Sequence, residues 1–461
     1  MEVLKDFYTN IYFVAIFSCL VTFLLSNRMY PIIIYTVRTK NIMDEPDFRK
    51  VHSSKTPTLG GVGLFASFTL TIILFCLYFH LDLPDLNKLL SLLGSTMILL
   101  FLGMKDDLIA ISPKKKLIGQ IIASAIVVFS TDIRITSFGG LLGIGELNYM
   151  VSVIFTIFTF ILVINSFNLT DGIDGLAGSI ALVASGVFGV FFLLNENYLL
   201  VFVSFTLIGA IFGFLRYNLS DSRKLFMGDS GSLFLGFLLA YQGITFLTLN
   251  EANTSSFTVA NGPILLLAIL SFPLLDTLRV FTIRAKAKRN PFSPDRNHIH
   301  HRLLNLGLTH KRATSLIIIG NILLIELAYI ISYTYINLQL FICITVGSMI
   351  YLCPFLRVFE KNTIMGPVKN GNDPKTNAEF EHPEQPVPVS QDYNYIDEEF
   401  FPLPTFVKTK QAEWSTATAS KDIVDDKKTP EGKMSNQKQR LIEKRLSELK
   451  KANKSKKVND K

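Results

Sequence analysis

The segment Asn165–Gly178 places two amides, Asn165 and Asn168, and two carboxylates, Asp171 and Asp174, among glycines between two long apolar runs. One run is Val151–Ile164 and the next resumes at Leu176. Hydrocarbon offers a carboxylate no water, so acids abutting apolar spans are scarce and mark functional positions. Oxygen donors of this kind suit a divalent cation, and through it a phosphate, held at a membrane surface.

Four further polar clusters carry candidate chemistry. Lys50–Gly61 joins cations to Pro57, Gly60 and Gly61, whose bare backbone lets amides approach an anion; a basic loop with a tight turn explains it equally well. Lys105, Asp106 and Asp107 close an apolar run, where plain solvated residues are the competing account. Met227–Ser232 contains Asp229, which ordinary turn chemistry would use to cap the following helix. Ser293–Arg302 collects three of the seven histidines, His298, His300 and His301, beside Arg296. Without a neighbouring cysteine these suit a phosphate or nucleotide as well as zinc. Asp276 and Arg279, three residues apart inside an apolar run, read as a structural pair on one helical face.

The elements that must position these residues are membrane helices. Mean hydropathy is +0.38, and 49% of the 461 residues are hydrophobic. That apolar mass is concentrated before residue 356. Eleven candidate spans follow: 10–26, 59–79, 88–104, 117–130, 150–165, 176–194, 198–215, 231–249, 262–281, 314–333 and 335–355. The fold class expected is an all-α polytopic membrane protein: a transmembrane domain over 1–355 and a polar, mostly disordered tail over 356–461. Within the tail, 437–451 has helical spacing of Ile442, Leu446 and Leu449 amid basic residues, which suits an amphipathic surface helix. The segment 131–149 has the look of a short β-hairpin. The four cysteines lack metal or disulfide spacing. Met1–Asn10 lacks the basic start of a cleavable signal, so the first helix is expected to be retained.

Counting Lys and Arg gives 21 in the loops on one side of these spans and three on the other. The positive-inside rule then places the N-terminus outside, the C-terminus inside and all five polar clusters on the cytoplasmic face of an inner, plasma membrane. The acids contribute nothing to that count, so their coincidence on one face is independent support for a common site.

Aspartates and asparagines without cysteine suit a hard cation, Mg²⁺ above all, with Mn²⁺ as a substitute. Carboxylates alone would repel a phosphate: like charges ~4 Å apart cost about 4 kcal/mol at an effective dielectric near 20. A divalent ion reverses that sign and suits phosphoryl transfer between a soluble nucleotide and a lipid phosphate.

In their order and spacing the clusters resemble the polyprenyl-phosphate N-acetylhexosamine-1-phosphate transferases, over about residues 10–355, with Asn165–Gly178 and His298–His301 as the most specific parts. The resemblance implies transfer of GlcNAc-1-phosphate, or another HexNAc-1-phosphate, from UDP-HexNAc to polyprenyl phosphate with release of UMP, initiating a lipid-linked surface polysaccharide. By the same resemblance Asp106, Asp107 and Asp229 would be catalytic, the first two in orientation and metal support. Asp229 and Asn168 would hold Mg²⁺. Asn165, Asp171, Asp174, Arg296, His298, His300 and His301 would bind the sugar nucleotide, bordered by Lys55, Thr58 and Gly61. The His-Ile-His-His order resembles the WecA and TagO branch; in the MraY branch, which acts on the muramoyl-pentapeptide, a run of adjacent histidines is more typical, with an acid where Arg302 stands. A nucleic-acid partner is not expected, and a homodimer stays open. A secondary transporter is the competing class, but transporters place polar groups near the midplane, often in repeated halves, and neither feature is evident here.

Overall fold

The structure, a computed structural model, describes residues 10–40, 43–44, 56–78, 81–252, 255–288 and 297–355. The expected tail, its 437–451 helix, Lys55 and Arg296 lie outside the described residues. Thirteen α-helices account for most of the described chain. They are α1 (Ile11–Thr39), α2 (Gly60–Tyr78), α3 (Leu83–Leu108), α4 (Pro113–Thr131), α5 (Tyr149–Thr170), α6 (Leu176–Leu194), α7 (Tyr198–Asn218), α8 (Gly228–Glu251), α9 (Gly262–Ile269), α10 (Ser271–Lys286), α11 (Ile299–Asn305), α12 (His310–Ile330) and α13 (Ile336–Leu352).

Every expected apolar run coincides with a helix or with the α9–α10 pair, but the boundaries differ. Helix α1 runs 29 residues, past the end of its apolar stretch and through Pro31. At 1.5 Å per residue it is about 43 Å long, so its Arg38 end projects beyond the hydrocarbon. Among the described residues, eight helices are long and apolar enough to cross a membrane, or nine if the bent α9–α10 pair is one span. Length and composition therefore do not carry all eleven expected spans: α4 begins in Lys114, Lys115 and Lys116, and α13 has only 17 residues.

Helices α7 and α8 form the centre, with 83% and 89% of their most apolar stretches buried, against 33% for α1. Phe234, Phe237 and Phe246 on α8 are fully buried among Phe68, Phe160, Phe188 and Phe191 of the surrounding helices. The 131–149 connection folds back on itself as a minimal antiparallel hairpin, with the Leu147 amide on the Thr136 carbonyl at 2.8 Å and the Phe138 amide on the Gly145 carbonyl at 3.2 Å. It makes a single bridge, Ser137 to Glu146, around a 3₁₀ turn at Leu141–Gly143. A strand pair absent from the sequence reading joins Met43–Asp44 to Thr56–Pro57.

Two local devices decide where the chemistry sits. First, three backbones nearly touch at the start of α8. A Cβ on Gly61 would lie 2.0 Å from the nitrogen of Gly231, and one on Gly103 would lie 2.4 Å from the Cα of Ser230. Only glycine allows α2 and α3 to approach α8 so closely, which draws the Asp106–Asp107 end of α3 against Asp229.

Second, α9 and α10 meet at a 75° bend. Pro273 cannot donate a backbone hydrogen bond in the first turn of α10. Carbonyls released at such a break have no water in the membrane and need a protein donor. Asn321 of α12, fully buried, supplies it: its Nδ2 reaches the carbonyls of Ala268 at 3.1 Å and Ile269 at 3.3 Å, and Ser271 Oγ at 3.0 Å. Replacing Asn321 with leucine removes this donor from both carbonyls, while Ser271 Oγ keeps Tyr351 Oη at 3.1 Å. The expected loss is about 1–3 kcal/mol of stability, read as earlier unfolding of the detergent-purified protein. A variant that unfolds with the parent would show that the bend does not depend on this amide.

Candidate active site

Asp107, in the last turn of α3, turns both oxygens to the start of α8. Oδ1 accepts from the Asp229 amide at 2.7 Å and Oδ2 from the Ser230 amide at 3.1 Å. A carboxylate here satisfies amides that a helix start leaves without intrahelical partners, and it complements the positive end of the helix dipole. The competing account, in which Asp229 caps its own helix, does not hold: Asp107 is the cap. Gly228 makes room for it, with φ at 73° and an added Cβ falling 2.7 Å from Asp107 Oδ2.

Freed from capping, the Asp229 carboxylate faces α4 and α5. Its Oδ2 accepts from Lys116 Nζ at 2.8 Å. Its Oδ1 accepts from Asn168 Nδ2 at 2.6 Å, and the same amide nitrogen reaches Ser232 Oγ at 2.8 Å. Lys116 also meets Asp106 Oδ2 at 3.0 Å and Asn168 Oδ1 at 3.4 Å. Asp106 Oδ1 is held by the Ile111 amide at 2.8 Å. One ammonium thus gathers three acceptor oxygens, from α3, α5 and α8. Lys116 had counted only as loop charge in the sequence. A signal was available: Lys116 and Gln120 are four apart and share a helical face. Gln120 and Asn165 bond reciprocally, at 2.8 and 3.3 Å. Asn165 is therefore engaged by a neighbouring helix through Gln120.

The loop after α5 holds a second carboxylate group. Burial, reinforced by the charges of Asp229, Asp107 and Asp174, pushes Asp171 up to about 8. Burial would raise Asp174 too, but hydrogen bonds from His310 and Lys224 outweigh it and hold Asp174 below the usual carboxylate range. Asp174 Oδ2 meets Lys224 Nζ at 2.6 Å and His310 Nδ1 at 2.8 Å. Thr314 Oγ1 donates to the Asp174 carbonyl at 2.9 Å. Asp174 therefore ties its loop to the start of α12, and the two neighbouring carboxyls differ in kind. Sequence reading had not singled out Lys224 or His310.

The histidines of 298–301 lie together, with ring centroids of His300 and His301 4.4 Å apart and those of His298 and His300 5.4 Å apart. His300 is buried against the Asp171 loop: a Cβ on Gly172 would fall 2.2 Å from its Nε2. Burial first, then His301, His298 and His310, holds its pKa well below the ordinary imidazole range, so the ring is neutral. Neither His300 nitrogen has a hydrogen-bond partner among the described residues.

Asp276 and Arg279 do not serve as the expected pair on one helix. Asp276 bonds His298 Nδ1 at 2.7 Å and the Ile299 amide at 3.0 Å. Arg279 donates to the Asn297 carbonyl and stacks on Phe355, 3.7 Å from its ring centroid. The glycine amides expected to meet an anion are also engaged: Gly60 donates to the Phe226 carbonyl and Gly61 to that of Met227, both at 2.9 Å. Gly61 is thus a packing glycine. Thr58 is half-buried just before it.

All-oxygen donors around one cation are the chemistry of a hard ion. Among the described residues no three His, Cys, Asp or Glu side chains form a metal cage. Mg²⁺ characteristically takes one or two carboxylates and completes its shell with water and substrate phosphates, so Asp229 and Asn168 Oδ1, with Asp106 adjacent, fit it.

Residues 89–247 match the family described as Glycosyl transferase family 4. Among curated proteins, the chain is 35% identical over 281 residues to the undecaprenyl-phosphate alpha-N-acetylglucosaminyl 1-phosphate transferase of Pasteurella multocida, covering 60% of this chain and 75% of that one. It is 29% identical over 305 residues to the protein of the same name from Salmonella typhi, with 64% and 77% covered. It is 29% identical over 294 residues to the decaprenyl-phosphate N-acetylglucosaminephosphotransferase of Mycolicibacterium smegmatis, with 59% and 71% covered.

Proposed function

The chain belongs to glycosyl transferase family 4, and from that premise we propose that it moves N-acetylglucosamine 1-phosphate from UDP-GlcNAc to undecaprenyl phosphate at the cytoplasmic face of the plasma membrane. A lipid phosphate oxygen attacks the phosphorus that carries the sugar. The bond to the bridging oxygen breaks, and UMP leaves. The product is a lipid diphosphate sugar on which a surface polysaccharide is built.

The observation that carries this reading is the gathering of Asp106, Asn168 and Asp229 on one ammonium, with Asp107 capping the helix beneath. Asp229 and Asn168 would hold Mg²⁺, which when bound neutralises phosphate charge and draws the diphosphate in. Lys116 supplies fixed positive charge beside the same oxygens. Such preorganised charge is what phosphoryl transfer needs, since the protein contributes mainly positioning and electrostatics. Buried polar atoms are nearly always paired in folded proteins, so the His300 ring, with neither nitrogen paired among the described residues, supports a contact from this segment to a polar group of the nucleotide sugar.

The test uses the purified full chain with undecaprenyl phosphate, UDP-GlcNAc and Mg²⁺, and measures UMP. UMP release is expected with UDP-GlcNAc, to fall to background in excess EDTA, and to return on adding Mg²⁺ or Mn²⁺. Release that persists in EDTA would remove the metal from the reading. No release with any UDP-HexNAc would remove the reaction.

A further inference from the structure

Helix α10 leaves the 75° bend carrying two charged side chains three residues apart, and both are directed at the chain that enters the histidine segment. Asp276 is 2% exposed and the His298 ring 6%. One carboxylate performs two tasks: Oδ2 binds His298 Nδ1, and Oδ1 accepts the Ile299 amide. Arg279 adds a third point by donating to the Asn297 carbonyl. Its guanidinium is backed by Phe355, over which Arg302 also lies, at 5.8 Å from the centroid.

A buried carboxylate is costly unless its oxygens are paired, and here they are paired to consecutive residues of another segment. A carboxylate is an acceptor only, so its bond to Nδ1 means that nitrogen carries a proton. Ring orientation and tautomer are then both set: in the neutral ring Nε2 is left as the acceptor, and on protonation it becomes a donor. The neighbouring rings of His300 and His301 are carried on the helix turn that the Ile299 bond begins.

We infer that Asp276 is a positioning residue for nucleotide-sugar binding: acting through His298, and assisted by Arg279, it sets the orientation of the His298–His301 segment toward the diphosphate. This rests on the proposal that the histidines contact the sugar nucleotide.

Three variants of the full chain, Asp276→Asn, His298→Ala and the double variant, separate the possibilities. Asparagine keeps the size but cannot accept from both His298 and Ile299. The KM for UDP-GlcNAc is expected to rise about tenfold in each single variant, with kcat within about threefold and the KM for undecaprenyl phosphate unchanged. The double variant is expected to be no worse than His298→Ala, since residues that act through one another are non-additive. Multiplying effects in the double variant, or a loss confined to kcat, would overturn the inference. An unchanged KM for UDP-GlcNAc in His298→Ala would instead sink the assignment of the histidines. Thermal unfolding monitors each variant. If Asp276→Asn fails to fold, Arg279→Ala takes its place: a rise of about threefold in the same KM, with the lipid KM unmoved, is expected, and no rise overturns the proposal.

Discussion

Asp229→Asn is expected to lower UMP release on the order of 10³-fold or more while the protein inserts, extracts and unfolds like its parent. The substitution retains the shape and one acceptor oxygen. It removes the charge that faces Lys116 at 2.8 Å and the oxygen available to a divalent ion. The fold has little reason to suffer. The α8 start is capped by Asp107 through the backbone of residues 229 and 230, and those amides survive the change. Turnover within tenfold of the parent would show that the carboxylate is not where phosphate charge is neutralised.

Lys116→Met produces the second large effect, and it separates structure from chemistry. The lysine is 14% exposed, and its partners Asp106 and Asp229 are 13% and 32% exposed. Removing one partner of a largely buried ion group leaves the others uncompensated, at a cost of about 3–5 kcal/mol for a fully buried pair and less where water reaches the site. Methionine retains the apolar stem but leaves two carboxylates facing each other. In EDTA the variant is therefore expected to unfold well before the parent. Excess Mg²⁺ is expected to return much of that loss, because the ion can take over charge neutralisation. UMP release is expected to stay low, on the order of 10²-fold below the parent, since the fixed charge is gone. Equal unfolding of variant and parent in EDTA would mean that the ammonium is a bystander.

Much of the architecture was legible in the chain because hydrocarbon imposes a simple length rule. The apolar runs became helices, and residues 165–178 fell at a helix end as expected. What was hidden is tertiary. Lys116 and Lys224 were indistinguishable from ordinary positive-inside charge, since nothing local tells a solvated lysine from one folded back onto a carboxylate. Asp107 and Asp229 are 122 residues apart, so no local pattern could transfer the capping role from one to the other. Asp276 and Arg279 have the spacing of an intrahelical pair, and only the bend at residue 270 turns them toward the histidine segment. Gly61 has the open backbone that its residue type implies, but the space is filled by α8. Asn165 and Asn168 are close in sequence, but three residues along a helix place Asn165 one turn deeper, beside Gln120.

The bend between α9 and α10 also bears on how the protein is made. The carbonyls at that break are paired by Asn321, some fifty residues further along the chain. A nascent chain that has delivered α9 and α10 but not yet α12 must hold those groups near water, at the interface or in the insertion machinery, because lipid supplies no donor. The bend thus couples the setting of α10 to the arrival of α12. Asp276 and Arg279, carried on α10, take their final aim late in synthesis, after the four-helix neighbourhood of Lys116 has been completed.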